Sequence, residues 1–347
     1  MSAYLEGTLP WLLDPASPEL AALAREADAR AASTPCDPDA LAADSELFLE
    51  LLRERHFGVA TGRVPLPDVT LPHAETWGEL GALRDELRAA LVDEHIRFFG
   101  APKPGGRSAE GPAIERSVVD GVLVVQIRRL FGTPDDERML IAWAETPDDD
   151  YAYDRIVVDL RSNSGGNDGH TYQWAERRLR AVERFCTSAT WSVGGRPLGY
   201  WNAVAWRQAL YGPDGVSPGF VALRHDPQPD DELEVEEEAY DLPAGDAPWS
   251  GRMVVLVDRH SRSSGESSAW LLREGLGARL VGEPTHGMIE YGNIVQYVLP
   301  RSGLVVSLPT KSNDYGFPVE GVGFPVDVPL DPDIPVEDVA RRFDSFV

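Results

Sequence analysis

Two short apolar runs constrain this chain more than anything else in it: RIVVDL at 155–160 and MVVLVD at 253–258. Each has the length of a strand and an apolar centre without polar alternation, which is how a strand buried on both faces of a parallel sheet reads. A loop of Ser, Gly and Asn follows each run at once. A helical pattern comes next, to about Phe185 after the first run and about Gly275 after the second. GVLVVQIRRL at 121–130 and ARLVGEP at 278–284 read as further strands. Strands alternating with helices imply an α/β domain with its ligands at the carboxyl ends of the strands.

The first hundred residues follow a different period. Ser17-Pro18 opens a helix expected to about Ala32, and Leu41, Leu47, Leu51 and Leu52 share one face of a second over 38–56. Thr76 and Glu79 form a capping box that opens a third, expected to run through Phe99 with His95 near its end. The Pro/Gly/Ser stretch from Gly100 to Gly111 reads as a linker. The expected division is therefore an N-terminal helical subdomain, 1–112, followed by an α/β domain, 113–347. That second domain carries an irregular acidic insertion around 190–250. Residues 225–246 hold ten acids and no Lys or Arg, and read as a solvated excursion or a lid.

Thirty-two basic against 57 acidic residues leave a formal charge of −25, which excludes nucleic acid and anionic membrane as main partners. No stretch approaches the ~20 apolar residues of a membrane helix, and the first residues do not read as a signal peptide. Cys36 and Cys186 are the two cysteines, too few for a disulfide framework, so a cytoplasmic location is expected. No Cys/His set has zinc spacing and no phosphate-binding loop occurs, so neither metal nor cofactor is expected.

The chemistry lies in the two loops. In Asp159–Asn167 (DLRSNSGGN) the paired glycines let backbone N–H groups point into a cleft, where they can hold an anion or a developing oxyanion. The plainer alternative is a tight turn with Asp159 and Arg161 as a local ion pair. In Asp258–Glu266 (DRHSRSSGE) a serine at a helix start sits where the macrodipole favours a developing alkoxide. The plainer alternative is that Ser263 or Ser264 only caps the helix.

DLRSNSGGN, SRSSGE and LVGEPTHG, in that order, resemble the motifs of peptidase family S41, the C-terminal-processing and tricorn-like serine peptidases. Glu320–Asp327 (EGVGFPVD) is similar to the family's closing segment, and Asp93-Glu94-His95 is a looser match before the linker. The resemblance spans about 115–330. It implies a core like that of crotonase and Clp protease, and hydrolysis of a peptide or protein substrate without metal or cofactor. A PDZ domain is not expected, because the linker passes straight into the first strand.

Carried over by position, Ser263 matches the nucleophile, Ser264 would supply one oxyanion N–H, and Gly165 or Gly166 the other. The processing branch takes its base from a lysine where this chain has Met288, which cannot accept a proton. Lysine occurs only at Lys103 and Lys311. The chain is thus closer to the tricorn-like branch, whose histidine base matches His95 and whose supporting glutamate matches Glu320. Glu94 stands where that branch has a serine. A histidine at a helix end is also an ordinary dipole partner, and Glu320 would serve equally in an ion pair. His170, His260 and His286 are the fallback bases. Two other readings share the scaffold: a non-catalytic protein that binds a hydrophobic ligand or peptide, and a hydrolase of a small ester or amide.

Overall fold

The computed structural model describes residues 48–49, 52–53, 57–61, 85–99, 111–193, 196–197, 233–298 and 305–347. The helix expected over 17–32 and the linker at 100–111 fall almost wholly outside them. The chain forms two units. One draws on 1–106, 188–237 and 291–313, the other on 107–187, 238–290 and 314–347.

The second unit is built on a six-stranded sheet. Its strands are β2 (Ile114–Val119), β3 (Val122–Ile127), β4 (Arg155–Asp159), β8 (Arg252–Val257), β9 (Arg279–Gly282) and β12 (Val328–Pro329), in the order β12-β9-β8-β4-β3-β2. All neighbours are parallel except β2 and β3, which form a hairpin. In register, Val124 faces Val157 and Val157 faces Val254. The apolar runs are continuous because both faces are covered. Leu123, Val125, Ile156, Val158, Val255 and Val257 pack on one side, against Trp143, Trp174 and the helix Ser264–Leu276. Val122, Val124, Val157, Val254 and Leu256 pack on the other, against Val336, Val339, Phe343 and Phe346 of the C-terminal segment. This two-sided burial is what the RIVVDL and MVVLVD patterns anticipate, and the α/β class with a parallel core stands.

The other sheet runs β1 (Arg97–Phe99), β11 (Val305–Asp314), β5 (Val182–Val193), β6 (Arg196–Pro197), with β10 (Tyr291–Val298) on β11 and β7 (Leu233–Leu242) on β5. Three expectations change here. The helix expected to reach Phe99 ends at residue 91, and Arg97–Phe99 become a strand on Val305–Ser307. Val92 takes a positive φ of 48° and the Asp93 N–H closes on the Arg88 carbonyl, which turns the chain out of the helix. The helix expected to about Phe185 stops at Ala175, with one 3-10 turn to Arg178. The Leu179 carbonyl then accepts from Gly245 and the Arg180 N–H donates to Gly275, so the chain is drawn into β5. Within the acidic region, 233–242 is a strand whose side chains 234–241 are exposed. Its acids hide its pairing because solvent, not a core, receives them. The helix Pro134–Glu145 was not anticipated, although Thr133 and Asp136 form its capping box around Pro134.

Between helix and sheet, one buried carboxylate ties several elements together. Asp150 accepts from the indole N–H of Trp143 and of Trp174, both at 3.1 Å, and from Arg116 at 3.0 Å. Tyr151 stacks on Trp174 with ring centroids 4.6 Å apart. Burial pushes the Asp150 carboxyl up, against the pull of Arg116 and the two indoles. Asp150→Ala leaves both buried indole N–H groups without an acceptor. It should lower stability by roughly 2–4 kcal/mol, read as a lower denaturant midpoint at unchanged slope. Arg116→Met, which removes the half-exposed partner, should cost less. Equal losses in the two variants would show that the ion pair, not the indole pair, carries the contribution.

Candidate active site

The loop after β4 is held from three sides. Arg161 forks onto Asp159 (Nε–Oδ1 2.9 Å, Nη2–Oδ2 2.6 Å) and donates Nη1 to the carbonyls of Pro332 and Ile334, each at 2.7 Å. The ion pair read as an alternative is therefore present alongside the glycine turn, and it anchors that turn to the C-terminal segment. Asn163, fully buried, donates Nδ2 to the Ile127 carbonyl (2.7 Å) and accepts the Gly165 N–H on Oδ1 (2.8 Å).

Asp258, at the end of β8, joins this loop to the second one. Its Oδ1 accepts the Ser162 N–H (2.9 Å) and the His260 N–H (3.0 Å). Ser261 is 0% exposed, and its hydroxyl is committed to the Leu160 carbonyl (2.8 Å) and to Asp258 (3.1 Å). Ser264 donates its hydroxyl to the Gly166 carbonyl (2.8 Å). Ser263, half-buried, stands at the turn into the helix with φ 54° and ψ −126°. A non-glycine residue in that region is strained by about 1–3 kcal/mol and persists only where its surroundings enforce it. Ser263 and Glu266 take the two places of a capping box at the start of this helix.

The enforcing group is Glu266. Its carboxylate, 0% exposed, accepts the Ser263 N–H (2.9 Å), the Met288 N–H (2.8 Å), the Gly287 N–H (2.7 Å) and the Thr285 hydroxyl (2.6 Å). Burial pushes its carboxyl up, and the four donors act against that shift. One side chain thus fixes the serine turn to the Gly282–Gly287 turn. Met288, in the place of the processing branch's lysine, is buried and adds only its backbone N–H.

The two glycines have different roles. The Gly165 N–H is spent on Asn163. Its carbonyl accepts the Leu130 N–H (2.9 Å), and a trans peptide points its N–H opposite to its carbonyl. The Gly166 N–H is therefore turned away from Leu130, and no hydrogen bond engages it among the described residues. Ser264, the first helical residue, likewise has no acceptor within the helix for its N–H. A Cβ on Gly165 would stand 2.8 Å from Ser263 Cβ and 3.1 Å from Ser264 N, so glycine is needed where this loop meets the serine turn. Two N–H groups that no described residue engages flank one strained serine.

His95 belongs to the first unit. The ring is buried. Asp93 Oδ1 accepts the His95 N–H at 2.7 Å and lies 3.1 Å from Nδ1. An acceptor-only carboxylate there puts the ring proton on Nδ1 and leaves Nε2 as the acceptor, which has no hydrogen-bond partner among the described residues. Glu320, in the second unit, accepts the Ile289 (2.9 Å) and Glu290 (2.8 Å) N–H groups on Oε2. His170 is buried 3.6 Å from Glu137, His260 is exposed, and His286 Nδ1 lies 3.0 Å from the Arg259 carbonyl. Lys311 lies on β11 opposite Gly292. An open polar cleft of about 770 Å³ at the ends of β3, β4 and β8 is lined by Arg161, Ser162, Asp258 and His260, and does not include Ser263.

Sequence reasoning gave no role to Asp93, Asn163, Asp258 or Glu266. Glu266 was in view as the last residue of SRSSGE, and Asn163 as the centre of DLRSNSGGN. Their partners are backbone groups, which leave no residue-type signal.

The family model described as "Peptidase family S41" matches residues 121–315, more than half of the chain. Among solved structures, a lipoprotein from Streptococcus agalactiae is similar at 12% identity, with a TM-score of 0.51 over 91% of this chain and 99% of that one. The photosystem II D1 C-terminal processing protease is similar at 16% identity, with a TM-score of 0.41 over 68% of this chain. Mature CPAF complexed with lactacystin is similar at 16% identity, with a TM-score of 0.43 over 70% of this chain and 57% of that one. This chain spans about half the length of the D1 processing protease, 53%. At these identities the likeness speaks to the fold alone, and only the first exceeds 0.5. No curated protein sequence matches.

Glu266→Gln keeps the shape but replaces one acceptor oxygen by an NH₂ that faces N–H donors. It should lower stability by roughly 2–3 kcal/mol, with the loss visible as faster amide exchange at Ser263, Gly287 and Met288. Unchanged exchange at those three amides would show that the carboxylate does not hold the turn.

Proposed function

Because the chain belongs to peptidase family S41, a family of serine-type peptidases, we propose that it hydrolyses peptide bonds through Ser263. The observation that carries this reading is the strained Ser263 between two N–H groups that no described residue engages, those of Gly166 and Ser264. Ser261 is excluded as nucleophile by burial and by its committed hydroxyl, and Ser264 by its bond to Gly166.

In the reaction, the Ser263 Oγ adds to the substrate carbonyl while its proton passes to Nε2 of His95. The carbonyl oxygen becomes an oxyanion and takes the Gly166 and Ser264 N–H groups, aimed at charge that exists only in the transition state. The proton then goes to the leaving amine, the C–N bond breaks, and water hydrolyses the resulting ester by the reverse sequence. Asp93 orients the imidazole and stabilises its charged form, as an acidic third member does. Glu320 keeps the supporting role that its match implies, with Oε2 held in place by the Ile289 and Glu290 N–H groups. The substrate is a peptide or protein. A chain with two cysteines suits a reducing compartment, the cytoplasm.

A fluorophosphonate probe should label the protein, and mass spectrometry should place the adduct on Ser263. Ser263→Ala should abolish labelling and turnover at a stability cost of no more than about 1 kcal/mol. His95→Ala should lower kcat/KM by about 10² or more, and Asp93→Asn by a comparable factor, while Lys311→Met keeps most activity. Labelling of Ser263→Ala, or a dead Lys311→Met beside an active His95→Ala, would overturn the assignment.

A further inference from the structure

Three half-buried arginines of the second unit each hold a carboxylate: Arg129 holds Asp136 at 2.8 Å, Arg161 holds Asp159 at 2.6 Å and Arg273 holds Asp327 at 3.0 Å. Arg262, the residue before the strained serine, is half-buried as well, but among the described residues no carboxylate pairs with its guanidinium and no acceptor takes its N–H groups. Its Nε is sealed from solvent without a partner, whereas the two Nη groups stay within reach of solvent. The acids fixed in the two loops are already filled. Asp159 is taken by Arg161, Asp258 by the Ser162 and His260 N–H groups, and Glu266 by its four donors. Arg259, three positions back, is spent on Glu283 at 3.2 Å. The Arg262 backbone is fixed too, its N–H on the Asn163 carbonyl (2.9 Å) and its carbonyl on the Gly265 N–H (3.0 Å). A guanidinium that gives up hydration without a partner costs stability. A chain with 57 acidic against 32 basic residues does not lack acids to pair it.

We propose that Arg262 is a specificity-determining residue whose guanidinium takes a carboxylate that the peptide substrate carries close to the scissile bond. This rests on Ser263 being the nucleophile. Consecutive Cα atoms are about 3.8 Å apart and an extended substrate advances about 3.3–3.6 Å per residue, so a side chain on the position beside Ser263 meets the substrate residues next to the reacting carbonyl. The guanidinium is always charged, and its planar fork matches the two oxygens of a carboxylate. An Asp or Glu side chain supplies that group, or the substrate's own C-terminus does. The net charge of −25 repels such a substrate at a distance, so the contact at Arg262, and not long-range steering, makes the selection.

The test uses two pairs of fluorogenic peptides, with fluorophosphonate labelling of Ser263 measured separately. One pair carries Glu or Gln at the positions flanking the scissile bond, and the other ends shortly after that bond in a free carboxylate or a carboxamide. In the wild-type protein kcat/KM should favour the carboxylate by about 10-fold or more in one pair, and that pair identifies its source. Arg262→Gln should collapse the carboxylate-to-amide ratio towards one. Arg262→Lys, which keeps the charge and loses the fork, should retain part of it. A wild-type ratio near one in both pairs, or a ratio unaffected by Arg262→Gln, overturns the assignment while labelling of Ser263 still supports the nucleophile. Equal loss on all four peptides in both variants overturns it too, because that signals a side chain that only holds the serine turn. No labelling of the wild type removes the nucleophile assignment and the carboxylate contact with it.

Discussion

The Glu266 carboxylate is the interaction on which the candidate site depends. It sits out of solvent on the first turn of the helix and collects four donors from three stretches of chain: Ser263, Thr285, and the successive amides of Gly287 and Met288. An ionised carboxylate is costly to bury alone and becomes tolerable when its lone pairs are filled by fixed donors. The same bonds that compensate the burial hold Ser263 in a backbone conformation it would not adopt by itself.

Around that knot the parallel sheet supplies position. β4 and β8 are adjacent and in register, so the loops that follow them emerge side by side although about a hundred residues separate them in sequence. Asp258 and Asn163 stitch those loops together, and Arg161 fastens the first to the C-terminal segment. The result is a frame in which no described residue engages the N–H groups of Gly166 and Ser264. In an α/β fold such loops at the carboxyl ends of the strands are where binding and chemistry are placed.

Hydrogen-bond accounting also separates residues of the same type. Ser261, Ser263 and Ser264 lie within four positions, yet Ser261 is sealed and Ser264 is tied to Gly166. Gly165 and Gly166 both take positive φ, and the Asn163 side chain consumes the N–H of the first. Asp93 and Glu320 are both buried carboxylates. The first is bonded to a histidine ring and the second to backbone amides.

The amino-acid sequence by itself determined the buried strands, the parallel core and the two loops that form the candidate site. Burial on both faces and a glycine-serine turn at a strand end leave marks that depend only on residue type. It did not determine secondary structure where a distant partner decides the outcome. Arg97–Phe99 continue a helical pattern but pair with Val305–Ser307, and Val182–Val193 follow a helix but join a sheet. Nor did it distinguish the free glycine amide from the spent one, or give Asn163, Asp258 and Glu266 their roles. Those depend on which backbone groups come within about 3 Å of a side chain, and backbone groups are the same at nearly every residue. Only the tertiary structure, by bringing 163 to 165 and 266 to 285–288, decided them.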